Sequence, residues 1–278
     1  MSPLDYTLVM FAVSIVAGFI GSLLGLGGGL IVVPVLTLVL GVDIRTAIGA
    51  SIVSIIATSS GAAAAYVRER MTNLRVAMYL ELGTTTGALT GGFLAGVLPP
   101  RWLYVLFGGV LFASAVAMFR KRHAAATPPA PDGWADRLRM HGEFRDGANG
   151  QAVAYRVTGT RVGVALMYVA GVLSGLLGIG SGALKVPAMD LAMHLPMKVS
   201  SATSNFMIGV TAAASAGMYF LRGDIVPFVA APVAAGVLVG ATAGARVLSR
   251  VDSGRLRVVF VVVLALVSLQ MAFKGVRG

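Results

Sequence analysis

Ten apolar segments fill most of the 278-residue chain and limit the folds that it can adopt. Most of them have about the 20 residues that a bilayer-spanning helix needs, but the second segment of each half has only about 12. In lipid, every backbone polar group must be paired internally, so such segments form helices. The sequence therefore predicts an all-α membrane protein. The segments lie at about 6–24, 30–41, 46–66, 76–98 and 102–119, then 162–177, 183–194, 199–220, 225–248 and 256–273.

Composition agrees with this fold class. The chain is 57% hydrophobic and 12% charged, whereas a soluble domain carries roughly 25% charged residues. The net charge of +11 could indicate nucleic-acid binding, but the basic residues lie between apolar segments without interleaved aromatics, so no nucleic-acid partner is expected. Cysteine is absent and the three histidines are scattered, so we expect no metal site and no cofactor. The first segment reads as a retained span rather than a signal peptide.

The two sets of segments form an internal repeat. A shift of 153 residues aligns "GLGGGLIVVP" (25–34) with "GIGSGALKVP" (178–187), so both copies share a Gly-x-Gly-x-Gly-x4-Pro pattern. A further match, "GALTGG" (87–92) with "GVLVGA" (236–241), requires a four-residue deletion. The shift pairs Gly25 with Gly178, Gly27 with Gly180, Gly29 with Gly182, Pro34 with Pro187, Ser51 with Ser204 and Tyr66 with Tyr219.

The basic residues indicate how the segments are oriented. If each half crosses the membrane five times, sixteen Lys and Arg side chains fall on one face and five on the other. If the short segments re-enter without crossing, this positive-inside bias weakens, so five crossings are favoured. An odd number places the halves in opposite orientations and predicts two inverted-topology repeats, each with a Gly-rich broken helix, an architecture common among transporters.

Three regions follow from this division. We predict a first transmembrane repeat at 1–119, a cytoplasmic linker at 120–161 and a second transmembrane repeat at 162–278. The linker starts Pro-rich, and "GEFRDGANGQAVAYRV" (142–157) alternates around a Gly/Asn turn, which is typical of a β-hairpin. The charge bias places the linker in the cytoplasm and both termini on the opposite side of the cell membrane.

The glycine-rich breaks predict an anion site. Irregular backbone at membrane depth is tolerated only where protein buries it or a cavity hydrates it, and glycine allows close approach to a ligand. We expect the two breaks, one in each half, to meet near the middle of the membrane. The short helices that follow would point their amide groups and positive dipole ends at that meeting point. Pro34 and Pro187 mark the structural breaks in these short segments. The predicted substrate-binding residues of the breaks are Gly25, Gly27, Gly28, Gly29, Gly178, Gly180, Ser181 and Gly182.

A single lysine strengthens the anion hypothesis. Lys185 replaces Val32 of the first repeat, and a charge at this depth is functional by default. Two alternatives remain: Lys185 contacts an anion, or it pairs with Asp190 or reaches the membrane surface. Asp190 and Glu81 are candidates for binding a coupling ion, although Glu81 is better explained by pairing with the basic cluster ending at Arg75.

Four further polar residues lie near the breaks, on the helices that follow them. Their side chains would either donate to substrate oxygens or pair with the broken backbone, and the sequence leaves both readings open. They are Ser51, Thr203, Ser204 and Asn205.

The paired motif resembles the TauE/SafE family of sulfite and organosulfonate exporters. The resemblance runs from about residue 8 to 273, interrupted by the linker, and includes "SSATSNF" (200–206). It implies export of a small sulfur-containing anion across the cytoplasmic membrane. One departure is Ser181, where the first copy has Gly28.

Two function classes compete. The first is a secondary transporter working by alternating access, with a passive anion channel or a transporter of another small organic anion as the alternative. The second is an intramembrane enzyme using Ser181 with His194 as its base, which we disfavour, so no catalytic residues are assigned. The expected partners are a small anionic substrate and the lipid bilayer, and small-residue patterns such as "GALTGGFLAG" (87–96) would also allow a homodimer.

Overall fold

The structure is a computed structural model that describes residues 3–68, 71–121, 132–145, 151–248 and 250–277. Within these ranges the chain is mostly helical, with eleven α-helices and one two-stranded sheet. Six of these helices are long and apolar enough to cross a membrane: Leu4–Leu24, Ile44–Ala62, Pro100–Phe119, Thr160–Leu177, Pro227–Leu248 and Gly254–Lys274. The predicted all-α membrane class is therefore correct.

The helices follow the apolar segments closely. The first part of the chain forms α1 (Pro3–Leu24), α2 (Gly29–Pro34), α3 (Ile44–Arg68), α4 (Leu74–Ala95) and α5 (Pro100–Lys121). The second part forms α7 (Thr160–Leu177), α8 (Gly182–Pro187), α9 (Met197–Leu221), α10 (Pro227–Leu248) and α11 (Ser253–Arg277). The small α6 (Gly133–Arg137) and the strands β1 (Gly142–Arg145) and β2 (Ala152–Tyr155) lie between them.

Polar residues between the apolar segments set where several helices begin. The Asn73 side chain accepts a hydrogen bond from the Val76 amide and caps α4. Asp252 accepts from the amides of Gly254 and Arg255 at the start of α11. The helices α5 and α10 begin with proline, whose missing amide costs nothing in the first turn.

The short segments do not end at their prolines. After Pro34 and Pro187 each continues as a π-helical turn, at Val35–Val39 and Ala188–Ala192. Proline lacks the amide hydrogen that an α-helical ladder needs, so a change of hydrogen-bond register there is less costly than elsewhere. The two prolines therefore mark a change of helix type, while the interruption of the chain lies earlier, at residues 25–28 and 178–181.

Two helix pairs pack in parallel and unusually closely. On α4, Gly83, Gly87 and Gly91 lie against backbone carbonyls of α7, where any side chain would collide. On α10, three glycines lie in the same way against α1. These are Gly236, Gly240 and Gly244, each 153 residues after its counterpart. The constant shift therefore also holds here, and the four-residue deletion inferred from "GALTGG" is wrong.

The remaining long helices pair in antiparallel fashion. At one end of the α3–α9 pair, Gly49 lies against the carbonyl of Asp224, and further along α3 the Ser59 hydroxyl donates to the Phe206 carbonyl. In the α5–α11 pair, Ser268 donates to the carbonyl of Gly108. Together the eight long helices form one bundle with two distinct ends.

The linker forms a small folded unit at one end of this bundle. β1 and β2 pair in antiparallel register, Gly142 opposite Tyr155, where the sequence predicts a hairpin. Residues 122–131 and 146–150, which include the Pro-rich start and the turn, lie outside the described residues. Asn73 donates to the Met140 carbonyl and to the Tyr155 hydroxyl, which fixes the unit to the start of α4.

Asp132 ties this unit to the start of α7. Although partial burial acts in the opposite direction, hydrogen bonds from the backbone and hydroxyl of Thr160 and from the Ala135 and Trp134 amides hold the pKa of Asp132 below its usual value. The carboxylate therefore stays charged at neutral pH and caps α6.

Candidate functional site

The two breaks have nearly the same backbone conformation. Gly25 and Gly27 have φ of +70° and +66°, and their counterparts Gly178 and Gly180 have +63° and +74°. Only glycine adopts this left-handed region without strain, which explains the spacing of the motif. The copies differ at the next position, where Gly28 has φ of −48° and Ser181 has +57°. The residue with a side chain thus occupies the strained conformation.

The breaks touch each other at the centre of the bundle. A side chain at Gly182 would strike the Gly25 carbonyl, and one at Gly29 would approach the carbonyl of Gly178. Both breaks pack on Ile55, which lies near the middle of the 25-residue helix α3. The two glycine-rich segments therefore lie in contact inside the bundle.

Two serines hold the breaks from opposite halves of the chain. The Ser51 hydroxyl donates to the Gly178 carbonyl at 2.5 Å, and the Ser204 hydroxyl donates to the Gly25 carbonyl at 2.6 Å. We call these two hydrogen bonds the reciprocal serine bonds. Each donor and each acceptor is shifted by 153 residues from its counterpart, so the two bonds are equivalent.

Other predicted polar residues also pair with the protein itself. The Asn205 amide donates to the Ser22 carbonyl at 2.6 Å, and Thr203 accepts from the Asn73 amide at 3.0 Å. The Ser181 hydroxyl donates to the Gly180 carbonyl at 2.6 Å. The Asn205, Thr203 and Ser181 side chains thus all contact backbone groups of the protein in this structure.

Tyrosines at the ends of α3 and α9 repeat the symmetry. The Tyr66 hydroxyl donates to the Ser22 carbonyl at 2.9 Å, and the Tyr219 hydroxyl donates to the Gly175 carbonyl at 2.8 Å. Ser22 and Gly175 lie one turn before the breaks and are again related by 153 residues. Each tyrosine therefore fixes the last turn of the helix that leads into a break.

Lys185 forms the charged part of the site. Its side chain is fully buried, and its ammonium nitrogen donates to the Thr211 hydroxyl at 2.6 Å. Thr211 in turn donates to Glu81 Oε1 at 2.6 Å, and the ammonium lies 3.6 Å from Glu81 Oε2. The partner that the structure shows for Lys185 is thus Glu81 rather than Asp190. We call Glu81, Lys185 and Thr211 the charged triad.

The other acid pairs at the end of the bundle. Asp190 accepts hydrogen bonds from Arg257 with both carboxylate oxygens, at 3.0 and 2.9 Å. The described partners of Glu81 are Thr85, Thr211 and Lys185. The Arg75 guanidinium, at the end of the basic cluster, instead donates to the Arg139 carbonyl in the linker.

Sequence reasoning missed Thr211 and the role of Glu81. The repeat contains the signal for Thr211, because its counterpart is Thr58, which accepts a hydrogen bond from the Gly28 amide. Nothing in the sequence indicates that Glu81 on α4 lies beside Lys185 on α8, since 104 residues separate them.

The site is closed in this structure. The polar side chains predicted to bind the substrate have no solvent exposure. They are Ser51, Ser181, Lys185, Thr203, Ser204 and Asn205. Ser181 and His194, the pair that an enzyme would require, have different partners, because His194 contacts the Thr158 hydroxyl at 2.8 Å. Within the described ranges, no group of three or more acidic or histidine side chains is placed to hold a metal ion.

The fold and the buried site together define a multi-pass integral membrane protein. Apolar helices surround a polar centre built from interrupted helices, and this combination is typical of membrane transporters.

A profile of the family described as "Sulfite exporter TauE/SafE" matches residues 10–271. The chain therefore belongs to the TauE/SafE family of membrane transporters, as the paired motif predicts.

Curated relatives agree with this assignment. A Bacillus subtilis (strain 168) protein described as probable membrane transporter protein YunE is 28% identical over 275 residues, covering 96% of this chain and 98% of its own. A second protein from that organism, probable membrane transporter protein YdhB, is 28% identical over 240 residues, covering 86% and 87%. A Methanocaldococcus jannaschii protein described as probable membrane transporter protein MJ0441 is 25% identical over 209 residues, covering 73% of this chain and 68% of its own. No solved structure matches the chain significantly.

Proposed function

We propose that the protein is a secondary transporter that exports a small sulfur-containing anion, such as sulfite or a sulfonate, across the cytoplasmic membrane by alternating access. The observation that carries the proposal is the buried ammonium of Lys185, in the first turn after a break that touches its symmetric counterpart. A buried positive charge beside interrupted helices is suited to an anionic substrate.

The helix contacts support two inverted-topology repeats, at 1–119 and 162–278. α4 lies parallel to α7, and α1 lies parallel to α10, whereas α3 is antiparallel to its equivalent α9. A repeat whose equivalent helices run in opposite directions is related to its partner by a two-fold axis in the membrane plane. The axis passes through the contact between the two breaks.

Alternating access would act on the reciprocal serine bonds. In the closed state each break is held by a serine of the other repeat, so movement of one repeat against the other must loosen at least one of these bonds. The freed carbonyl would then reorient with its break, and the neighbouring amides of Gly27, Gly29, Gly180 and Gly182 would contact the anion. Ser51, Thr203, Ser204 and Asn205 would line the opened site.

Orientation follows from the distribution of charge between the two ends of the bundle. The linker, Lys198 and Arg257 lie at one end, while Arg45, Arg222 and Lys274 lie at the other. By the positive-inside rule we place the linker end in the cytoplasm and both termini outside. A homodimer packed through the exposed apolar helix faces is a further part of the proposal.

Flux through proteoliposomes tests the proposed function. Vesicles containing the purified protein are loaded with radiolabelled sulfite, isethionate or acetate, and efflux is measured with and without imposed proton and sodium gradients. We expect saturable efflux of a sulfur-containing anion. Gradient-independent flux at channel rates would instead favour the passive anion channel, and preference for acetate would favour another organic anion.

A matched pair of variants assigns the flux to the site. Lys185→Ala should lower the initial rate more than tenfold, because it removes the buried positive charge. Val32→Ala, at the equivalent position of the first repeat, should change the rate less than twofold. Equal rates for wild type and Lys185→Ala, at equal protein per vesicle, would contradict the proposed site.

A further inference from the structure

Glu81 has an incomplete set of partners for a buried carboxylate. Its side chain is 13% exposed, and Oε1 accepts hydrogen bonds from Thr211 at 2.6 Å and from Thr85 at 3.1 Å. Oε2 is buried and accepts no hydrogen bond among the described residues, although the Lys185 ammonium lies 3.6 Å away. One carboxylate oxygen is therefore held by charge alone, and a proton bound there would remove a negative charge that no hydrogen-bond donor stabilises.

The triad is electrically neutral before a substrate arrives. Lys185 carries one positive charge and Glu81 one negative charge, and in a buried setting each depends on the other. An anion that binds the ammonium takes over the role of Glu81. The displaced carboxylate then remains beside a second negative charge, and uptake of one proton would restore the neutrality of the site.

The symmetry-related positions do not repeat this arrangement. The positions that correspond to Glu81, Lys185 and Thr211 are Ala234, Val32 and Thr58. The hydroxyl of Thr58 accepts from the Gly28 amide and donates to the Ser54 carbonyl, so it serves the backbone instead of a charge. Because the triad contains one acid and one base, we expect the exchange of one proton for each anion.

We propose that Glu81 is the proton-binding site of the transporter, and that binding of one monovalent anion at Lys185 is coupled to uptake of one proton by the Glu81 carboxylate. This inference rests on the proposed function, because it requires an anion at Lys185. The ammonium stays charged and passes from Glu81 to the anion, while Glu81 Oε2 gains the proton. The loaded site is again neutral, which lowers the cost of moving it through the closed state.

The other charged groups on the helices around Glu81 are engaged elsewhere or distant, and the remaining titratable groups are tyrosines. Lys198 lies 13 residues before Thr211 on α9 and Tyr219 lies 8 after it, about 20 and 12 Å along the axis at 1.5 Å per residue. Arg161 on α7 stacks over Trp134 in the linker. The groups are Arg161 and Tyr168 on α7, Lys198 and Tyr219 on α9, and Arg75 and Tyr79 on α4.

Proton uptake on binding provides a direct test. Purified protein in weakly buffered detergent solution is mixed with isethionate, a sulfonate that does not itself titrate near neutral pH, and a pH indicator reports protons taken up. Binding is measured in parallel by calorimetry. We expect about one proton to be taken up for each anion bound. Because binding and proton uptake are linked, the affinity for isethionate should then weaken about tenfold for each unit by which the pH is raised in the alkaline range.

Two variants locate the proton. Glu81→Gln should bind isethionate without proton uptake and with little pH dependence, because its amide stays neutral. Asp224→Asn, which alters an acid paired with Arg222 at the far end of the bundle, should keep the uptake of the wild type. Uptake retained in Glu81→Gln would assign the proton to another group and overturn the proposal.

The wild-type measurement separates the two proposals without any variant. Isethionate binding with no proton uptake would overturn the role of Glu81 and leave anion transport intact. If neither isethionate nor sulfite binds, and neither raises the melting temperature, then the anion site itself is wrong and the proton inference fails with it.

Discussion

The two glycine-rich breaks are alike in their backbone and different in their charge. Each break turns through left-handed glycines, touches the other, and is held by a serine from the opposite half of the chain. Only the second break is followed by a lysine, and Glu81 lies beside that lysine on a neighbouring helix. We infer a division of roles from this comparison. The glycines and serines that both breaks share would form a contact that can move, and Lys185 with Glu81 would determine which substrate binds there.

The largest effect is expected from filling the contact between the breaks. Gly182→Ala should abolish the folded protein, because the new methyl group would strike the Gly25 carbonyl and the Leu26 backbone, which cannot move aside. The control is Gly109→Ala on α5, where nothing lies within 4 Å of the added atom. Size-exclusion chromatography of detergent extracts measures the outcome, and a monodisperse Gly182→Ala protein would contradict the observed contact.

Breaking the charged triad, which has no symmetry-related counterpart, should cost less stability than filling the contact between the breaks. Lys185→Ala leaves a buried carboxylate without its counter-charge and should lower the free energy of unfolding by about 3–5 kcal/mol. The double variant Lys185→Ala/Glu81→Ala should recover part of that loss, because no uncompensated charge remains. Unfolding in SDS measures both. A double variant less stable than the single one would show that the pairing is not what stabilises Lys185.

The reciprocal serine bonds test the symmetric part of the comparison. Ser51→Ala and Ser204→Ala each leave a buried carbonyl without its side-chain donor. Each should lower the free energy of unfolding by about 1–3 kcal/mol. Because the bonds are equivalent, we expect two similar losses in the same SDS titration. Ser60→Ala, at an exposed position on α3, is the control. A loss confined to one serine would mean that the two breaks are not equivalent.

The smallest effects are expected at the paired tyrosines. Tyr66→Phe and Tyr219→Phe each remove one hydroxyl that fixes the turn before a break. Each variant should lower the free energy of unfolding by about 0.5–1.5 kcal/mol. The Tyr66 variant should be the milder one, because the Ser22 carbonyl keeps hydrogen bonds from Asn205 and Gly25. Melting temperatures of the two variants rank them, and the opposite ranking would show that those remaining bonds do not compensate.

Much of this comparison was predictable from the sequence. The 153-residue shift identifies Ser51 with Ser204 and the glycines of the two breaks with each other, and the apolar segments locate the helices to within a few residues. The spacing cannot show which atoms these serines contact. Whether a hydroxyl donates to a substrate or to a carbonyl depends on the distance between two helices, and periodicity does not contain that distance.

The charged triad was harder to predict from the sequence, for a related reason. Lys185 stands out because a lysine in an apolar segment is costly. Its partner lies on another helix, and Asp190, five residues away, is the nearer acid in the sequence. Along a helix, residues five apart do not share a face as those three or four apart do, so proximity in the sequence was a poor guide.

The Ser204–Gly25 hydrogen bond also affects how the protein is made. Its donor follows its acceptor by 179 residues, so the first break enters the membrane long before Ser204 is translated. At about 5–20 residues per second, roughly 9–36 seconds pass before that serine exists. During this interval the Gly25 carbonyl needs a temporary partner, which lipid cannot supply but water or the insertion machinery can.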